Sequence, residues 1–226
     1  MTEIWQGLTR AIELIISLDP EVMEIAGRSL SISLTSIILA ALICLPLGNL
    51  IHFHRFPGKR VVINLIQTFF SVPTVVIGLF VFVFLSRSGP LGEMGLLFTP
   101  AAMVLGQIIL ITPVLLGLTI SALSGVNKTV IDTARSLGAS GFQTALVILK
   151  EARFAVIAAI IMGFGRAISE VGISLMVGGN IKGFTRVITT AISLETSRGD
   201  LELSLALGII LMAIALVINI VLNRIQ

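Results

Sequence analysis

Residues 132–179 read DTARSLGASGFQTALVILKEARFAVIAAIIMGFGRAISEVGISLMVGG. The first nine, Asp132 to Ser140, are polar and interrupted by Gly138. Gly141 to Leu149 then place Phe142, Ala145, Leu146 and Leu149 on one face at helical spacing. Phe154 to Gly179 form an apolar run rich in small residues that also holds Arg166 and Glu170. A run of that length crosses a hydrocarbon core of roughly 30 Å as a helix. The stretch therefore joins a segment shaped to dock to a segment able to line a path.

The long apolar run recurs along the chain. With 226 residues, a mean hydropathy of +1.08, 56% hydrophobic and 12% charged residues, the polar surface is too small for a water-soluble domain. Five spans are expected, at 29–51, 61–85, 100–123, 154–179 and 203–222, in one all-α polytopic domain covering residues 1–226 with no internal repeat. Residues 1–28 read as an interfacial N-terminal helix, because Ile4, Leu8, Ile12 and Ile15 recur at helical spacing among Glu3, Arg10 and Glu13, with Trp5 as an anchor. Asp19-Pro20-Glu21 supplies an N-cap, a proline at the first helical position and an acid in the first turn. Pro73 and Pro113 fall inside expected spans, where lost backbone hydrogen bonds need a packed or water-lined setting. Cys44 is the single cysteine, which excludes an internal disulfide. The N-terminus lacks the cationic region and cleavage site of a signal peptide and is expected to stay on the mature protein.

Alternating the connections between two sides gives one side with residues 52–60, 127–153 and the C-terminus. It carries eight basic residues against two acidic ones; the other side carries six against nine. The basic bias predicts the N-terminus outside and the C-terminus in the cytoplasm of a cell-membrane protein. Residues 127–153 then form a cytoplasmic loop in which Asn127 or Ser124 starts a helix, Gly138 breaks it and a second short helix follows. Two short helices bent at a glycine make a knob that fits a groove on another protein; an ordinary connecting loop is the plainer alternative.

Asp132-Thr133-Ala134, Gly138 and Ile148 resemble, in type and spacing, the Glu-Ala-Ala motif of ABC importer permeases, with Asp132 and Thr133 in place of Glu and Ala. Beyond it, residues 163–172 (GFGRAISEVG), 178–181 (GGNI) and 185–196 (TRVITTAISLET) are similar to permeases of the molybdate/tungstate type, the tungstate-specific ones most closely. The resemblance implies the type I importer fold. It implies coupling helices carrying Asp132, Ala134, Gly138, Phe142 and Ile148 against cytoplasmic ATPase subunits, a homodimer with its path along the dimer axis, and an extracytoplasmic tungstate-binding protein. It also implies a function: import of tungstate by alternating access, with molybdate, sulfate or another oxyanion as the alternative.

Arg166 and Glu170, four apart, share one face of an expected continuous helix. Ionised groups in a span face a partner or a cavity, so the two either neutralise each other and fix packing or contribute to the path or gate. Ala159, Gly163 and Ala167, with Gly165 and Ser169 beside them, form small-residue ridges suited to close helix contact. Hydroxyls of Ser169, Ser174, Thr189 and Thr190 are candidates to ease an anion through, set against the ordinary bonding of such hydroxyls to their own backbone. Lys182 and Arg186 on the outer face are candidates to meet the binding protein.

The chain lacks a Gly-x-x-x-x-Gly-Lys-Ser/Thr loop, so it is not expected to be an enzyme and any ATP hydrolysis falls to a partner. His52 and His54 in a basic turn make no expected metal site, and neither a cofactor nor a nucleic-acid partner is expected. An intramembrane protease or a lipid transferase lacks its clustered residues here; an ion-coupled carrier using Arg166 and Glu170 stays open.

Overall fold

The computed structural model describes residues 2–54 and 56–225. Met1, Arg55 of the basic turn, and Gln226 lie outside the described residues, as do the side chains of residues 2–4, 6 and 225. Eleven α-helices and no strand occur among the described residues.

Helix α1 (Thr2–Ile16) runs along the C-terminal helix rather than alone in an interface. Ala11 is fully buried among Val22, Ile25, Ala206 and Leu207, and Arg10 Nε lies 3.7 Å from Glu202. Trp5, Ile12 and Ile16 stay exposed. Leu18 turns the chain with φ +54, and the Asp19 carboxylate accepts from the Glu21 and Val22 amides, starting α2 where the sequence places it. Helix α2 (Pro20–Phe53) is 34 residues long, about 51 Å at 1.5 Å per residue. The expected boundary at Ser29 disappears because Glu24 and Arg28 pair one turn apart and let the helix continue through its charged end. Residues 20–28 therefore belong to the same helix as the first span.

The second span is broken. Helices α3 (Lys59–Phe69) and α4 (Thr74–Leu85) meet at 99°, each about 16–18 Å long and too short to span singly. Pro73 has no amide hydrogen and drives Val72 away from helical backbone, which ends α3 instead of kinking a continuous helix. The loop to α5 is pinned at Phe98, whose amide donates to the Val177 carbonyl at 2.8 Å.

Helix α5 (Pro100–Ser124), capped by Thr99 with Pro100 at its first position, is the hub. Its face of Met103, Gln107, Leu110, Ile111, Leu115 and Thr119 is buried. Two glycines set its spacing: a Cβ on Gly48 of α2 would lie 2.9 Å from Thr119, and one on Gly106 would lie 2.4 Å from Ile173. Pro113 is carried inside α5 without ending it. Short helices α6 (Lys128–Ser136) and α7 (Gly141–Glu151) lead into α8 (Arg153–Ile168), α9 (Gly172–Gly178), α10 (Ile188–Arg198) and α11 (Leu201–Ile225).

The main core joins α2, α4, α5, α8 and α9; a second packs α1 and the start of α2 on α10 and α11. Outside them, Leu34, Ile38, Leu42, Phe80, Phe84, Met212, Leu216 and Val217 face outward. Such an apolar belt belongs against lipid. Three helices are long and apolar enough to cross a bilayer, and five spans result if each bent pair, α3–α4 and α8–α9, counts as one.

Candidate functional site

The fourth span, expected as one helix from 154 to 179, stops at Ile168 and resumes at Gly172 after a 57° bend. A break at membrane depth frees backbone groups that lipid cannot satisfy. Side chains from elsewhere meet them. The Gln107 amide donates to Ala167 O at 3.2 Å, the Thr189 hydroxyl donates to Glu170 O at 2.8 Å, and Glu170 Oε1 accepts from the Ile173 amide at 3.0 Å. Gly172 sits close beside it: a Cβ there would lie 3.1 Å from Thr74 Oγ1, tighter than ordinary contact.

The break separates the pair that spacing placed on one helical face. Arg166 Nη1 and Glu170 Oε2 are 3.9 Å apart, and the two side chains differ in setting, 42% exposed for Arg166 against 2% for Glu170. Glu170 is an interior cap on the second half-helix; Arg166 presents its cation outward. The continuous helix expected here is thus corrected to two half-helices, with the Arg166–Glu170 ion pair bridging the bend. Ser169 is exposed beside Arg166 with its hydroxyl on Gly165 O. Thr190 is fully buried and closes a reciprocal contact with the Val187 backbone at the start of α10. Ser174 is buried and its hydroxyl has no hydrogen-bond partner among the described residues.

The segment after α9 turns through Gly179, Asn180 and Gly183, all with positive φ. The Thr185 hydroxyl binds Gly178 O and accepts from the Ile181 amide. Lys182 and Arg186, taken together from sequence, part company here. Lys182 is 67% exposed with Nζ 2.7 Å from Glu21, whereas the Arg186 side chain is 8% exposed and bonds Glu195 Oε1 at 3.1 Å, with Glu21 at 3.8 Å. Arg198 reaches the same Glu195 oxygen at 3.3 Å. Glu21, Glu195 and Gln107 went unselected in the sequence. Their one visible signal is charge or amide character within or beside apolar runs, and the partners lie 3 to 165 positions away.

On the opposite end, Asn127 Oδ1 caps α6 through the Thr129 amide at 2.9 Å. Gly138 has φ +83, the left-handed conformation that lets the chain reverse, and its amide donates to Arg135 O. Ser140 and Gln143 form a capping box that starts α7. Asp132, Gly138 and Phe142 are exposed and Ala134 is half-buried. Ile148 is 3% exposed and packs with Leu123 and Ala152, which places it under the surface. The expected apolar face divides: Leu137, Phe142 and Leu146 point outward, while Ala145 and Leu149 are half-buried and Thr144 is buried. The two short helices thus leave Leu137, Phe142 and Leu146 uncovered by the rest of the chain.

Residues 44–226 match the family described as binding-protein-dependent transport system inner membrane component. A tungstate uptake system permease protein of Peptoclostridium acidaminophilum is 40% identical over 100% of this chain and 99% of its own. The protein of the same description from Campylobacter jejuni is 39% identical over 99% and 93%. Among solved structures, a bacterial alginate ABC transporter in complex with an alginate pentasaccharide-bound periplasmic protein shares the fold, with a TM-score of 0.71 at 20% identity over 99% of this chain and 87% of that one. A polytopic helical chain with broken spans, short exposed helices between its third and fourth spans and these relatives belongs to the binding-protein-dependent inner membrane components, the permease subunits of ABC importers.

Proposed function

We infer that this chain is the membrane-spanning permease subunit of an ABC importer that carries tungstate into the cell. The observation that carries the reading is the 40% identity over the whole chain to a tungstate uptake permease. The geometry fits it. Arg166 offers an outward-facing cation at the break of the fourth span, where a dianion passing along a shared axis would meet it. Ser169 adds a hydroxyl at the same place.

Two copies form the path, and each docks one cytoplasmic ATPase subunit through α6 and α7. Asp132, Gly138 and Phe142 lie on that surface; Ala134 and Ile148 support it from beneath. ATP-driven closure of the ATPases pushes the coupling helices and turns the path from inward-open to outward-open. The N-terminus lies outside and the C-terminus in the cytoplasm, which puts the 179–187 segment where a tungstate-binding protein lands, with exposed Lys182 as its contact. Arg186 supports that segment from within. Tungstate and molybdate share charge and nearly share size, so selection belongs in the binding protein and the path needs only weak, releasable contacts.

The test is uptake of trace tungstate, with excess molybdate as competitor, in cells with and without the gene. Gene-dependent tungstate uptake that molybdate leaves in place supports the reading. Gene-dependent uptake of molybdate or sulfate instead rejects the substrate.

A further inference from the structure

We propose that Arg186 is a positioning residue: with Glu21 and Glu195 it forms a relay that carries movement of the 179–187 segment to the break in the fourth span through the Thr189 hydroxyl. The naming of the partner at its surface end rests on the proposed import reading; the relay itself rests on contacts within the chain.

The relay is short and enclosed. Arg186, Glu195, Thr189 and Glu170 are each 7% exposed or less. A buried pair holds its geometry strongly, because displacing one partner leaves an uncompensated charge. The backbone between the ion pair and the hydroxyl is tied at each step. Arg186 O accepts from Arg28 Nη1 at 3.3 Å, the Ile188 amide donates to Ser29 Oγ at 2.7 Å, and Val187 is extended at φ −118, ψ 167. Thr189 lies on the same helix, α10, as Glu195, so a pull on Glu195 by the Arg186 guanidinium acts on the helix that carries Thr189. Its hydroxyl ends on Glu170 O, a carbonyl of the break, while the carboxylate of the same Glu170 holds the first turn of α9. Moving Thr189 moves the junction between the two half-helices.

The surface end can sense a partner. Glu21 is shared between exposed Lys182 at 2.7 Å and buried Arg186 at 3.8 Å. An acidic group arriving at Lys182 competes for that ammonium and leaves Glu21 to Arg186 alone. The partner that fits is the acidic surface of a delivering protein. The Arg186 Nε, buried without a hydrogen-bond partner, leaves the guanidinium one donor free to exchange acceptors as it moves.

The experiment uses the full chain in membranes with Cys44→Ala and Ser169→Cys, and reads the rate at which a membrane-impermeant thiol reagent labels the new thiol. Arg186→Gln and Thr189→Val each shift that rate by about fivefold, the effect of one buried hydrogen bond, and Lys182→Gln, which removes an exposed ion pair, shifts it by about twofold. Arg186→Gln combined with Thr189→Val shifts it no further than the larger single change, as expected for one pathway. Thr189→Ser, which keeps the hydroxyl, restores the parental rate. Rates that stay unchanged, or effects that multiply, overturn the relay. If Arg186→Gln does not reach the membrane, the surface change Lys182→Gln decides: its effect must vanish in the Thr189→Val background, and persistence contradicts the proposal. Labelling needs no tungstate, so loss of the substrate reading in the uptake assay leaves this result standing, and the reverse holds too.

Discussion

At the scale of single residues, Arg166 is the position where chemistry and exposure meet. Its guanidinium faces out of the chain at the broken span with only a 3.9 Å contact to Glu170. Arg166→Gln is expected to lower tungstate uptake about tenfold, the scale of one charge-assisted hydrogen bond, with Arg166→Lys retaining most of it; equal uptake by the glutamine variant at equal membrane level would remove Arg166 from the path. Gly48 makes a purely structural prediction. A Cβ there already falls 2.9 Å from Thr119, so Gly48→Val should destabilise the protein by about 1–3 kcal/mol through overpacking, read as an earlier thermal transition in detergent. The four-residue spacing of Arg166 and Glu170 was legible in the sequence and the helix break between them was not. Spacing assumes a continuous helix, and the break depends on Gln107 and Thr189, which approach from other spans. Lys182 and Arg186 carry the same lesson: both are basic residues of one polar segment, and only the distant Glu21 and Glu195 decide which is drawn inside.

At the scale of elements, the α6–α7 pair was largely readable from residues. Asn127 before it and Gly138 within it are local signals acting within a few positions, and local signals survive tertiary packing. The direction of each α7 side chain was less readable, since Ile148 turns inward onto Leu123 and Ala152, contacts that no periodicity reveals. Gly138→Pro is expected to abolish transport-coupled ATP hydrolysis while the chain still inserts. Proline fixes φ near −65°, far from +83°, and removes the amide that donates to Arg135 O. Asp132→Lys, at an exposed position, should break docking by charge reversal with the helix intact. ATPase activity measured on membranes of equal permease content checks both, and wild-type coupling in either would sink the docking surface. Bent spans were the weakest reading. Pro73 falls at the first bend, within what reads as one span, and the second bend, at Ser169, is held by Gln107 and Thr189 from other spans and by a glutamate whose partner is a backbone amide, contacts that periodicity does not show.

At the scale of the whole molecule, hydropathy alone placed the chain in a bilayer, and the apolar belt of α2, α4 and α11 has that form. Charge counting adds an orientation. Single cysteines placed at Lys182 and at Phe142 in a Cys44→Ala background should label from outside and from the cytoplasm respectively; labelling of both from the same side, or in the reverse order, contradicts the N-outside reading. The α1 helix, bound along α11 by Ala11 and the Arg10–Glu202 contact, should travel with the permease as one folded unit. Import of tungstate by the assembled transporter is tested by tungstate accumulation in sealed proteoliposomes holding the permease and ATPase subunits, with tungstate-loaded binding protein outside and ATP inside. Accumulation is expected to require all of these components and to be lost in the Gly138→Pro variant. Accumulation without ATP, or ATP-driven uptake of molybdate or sulfate in place of tungstate, would contradict that expectation.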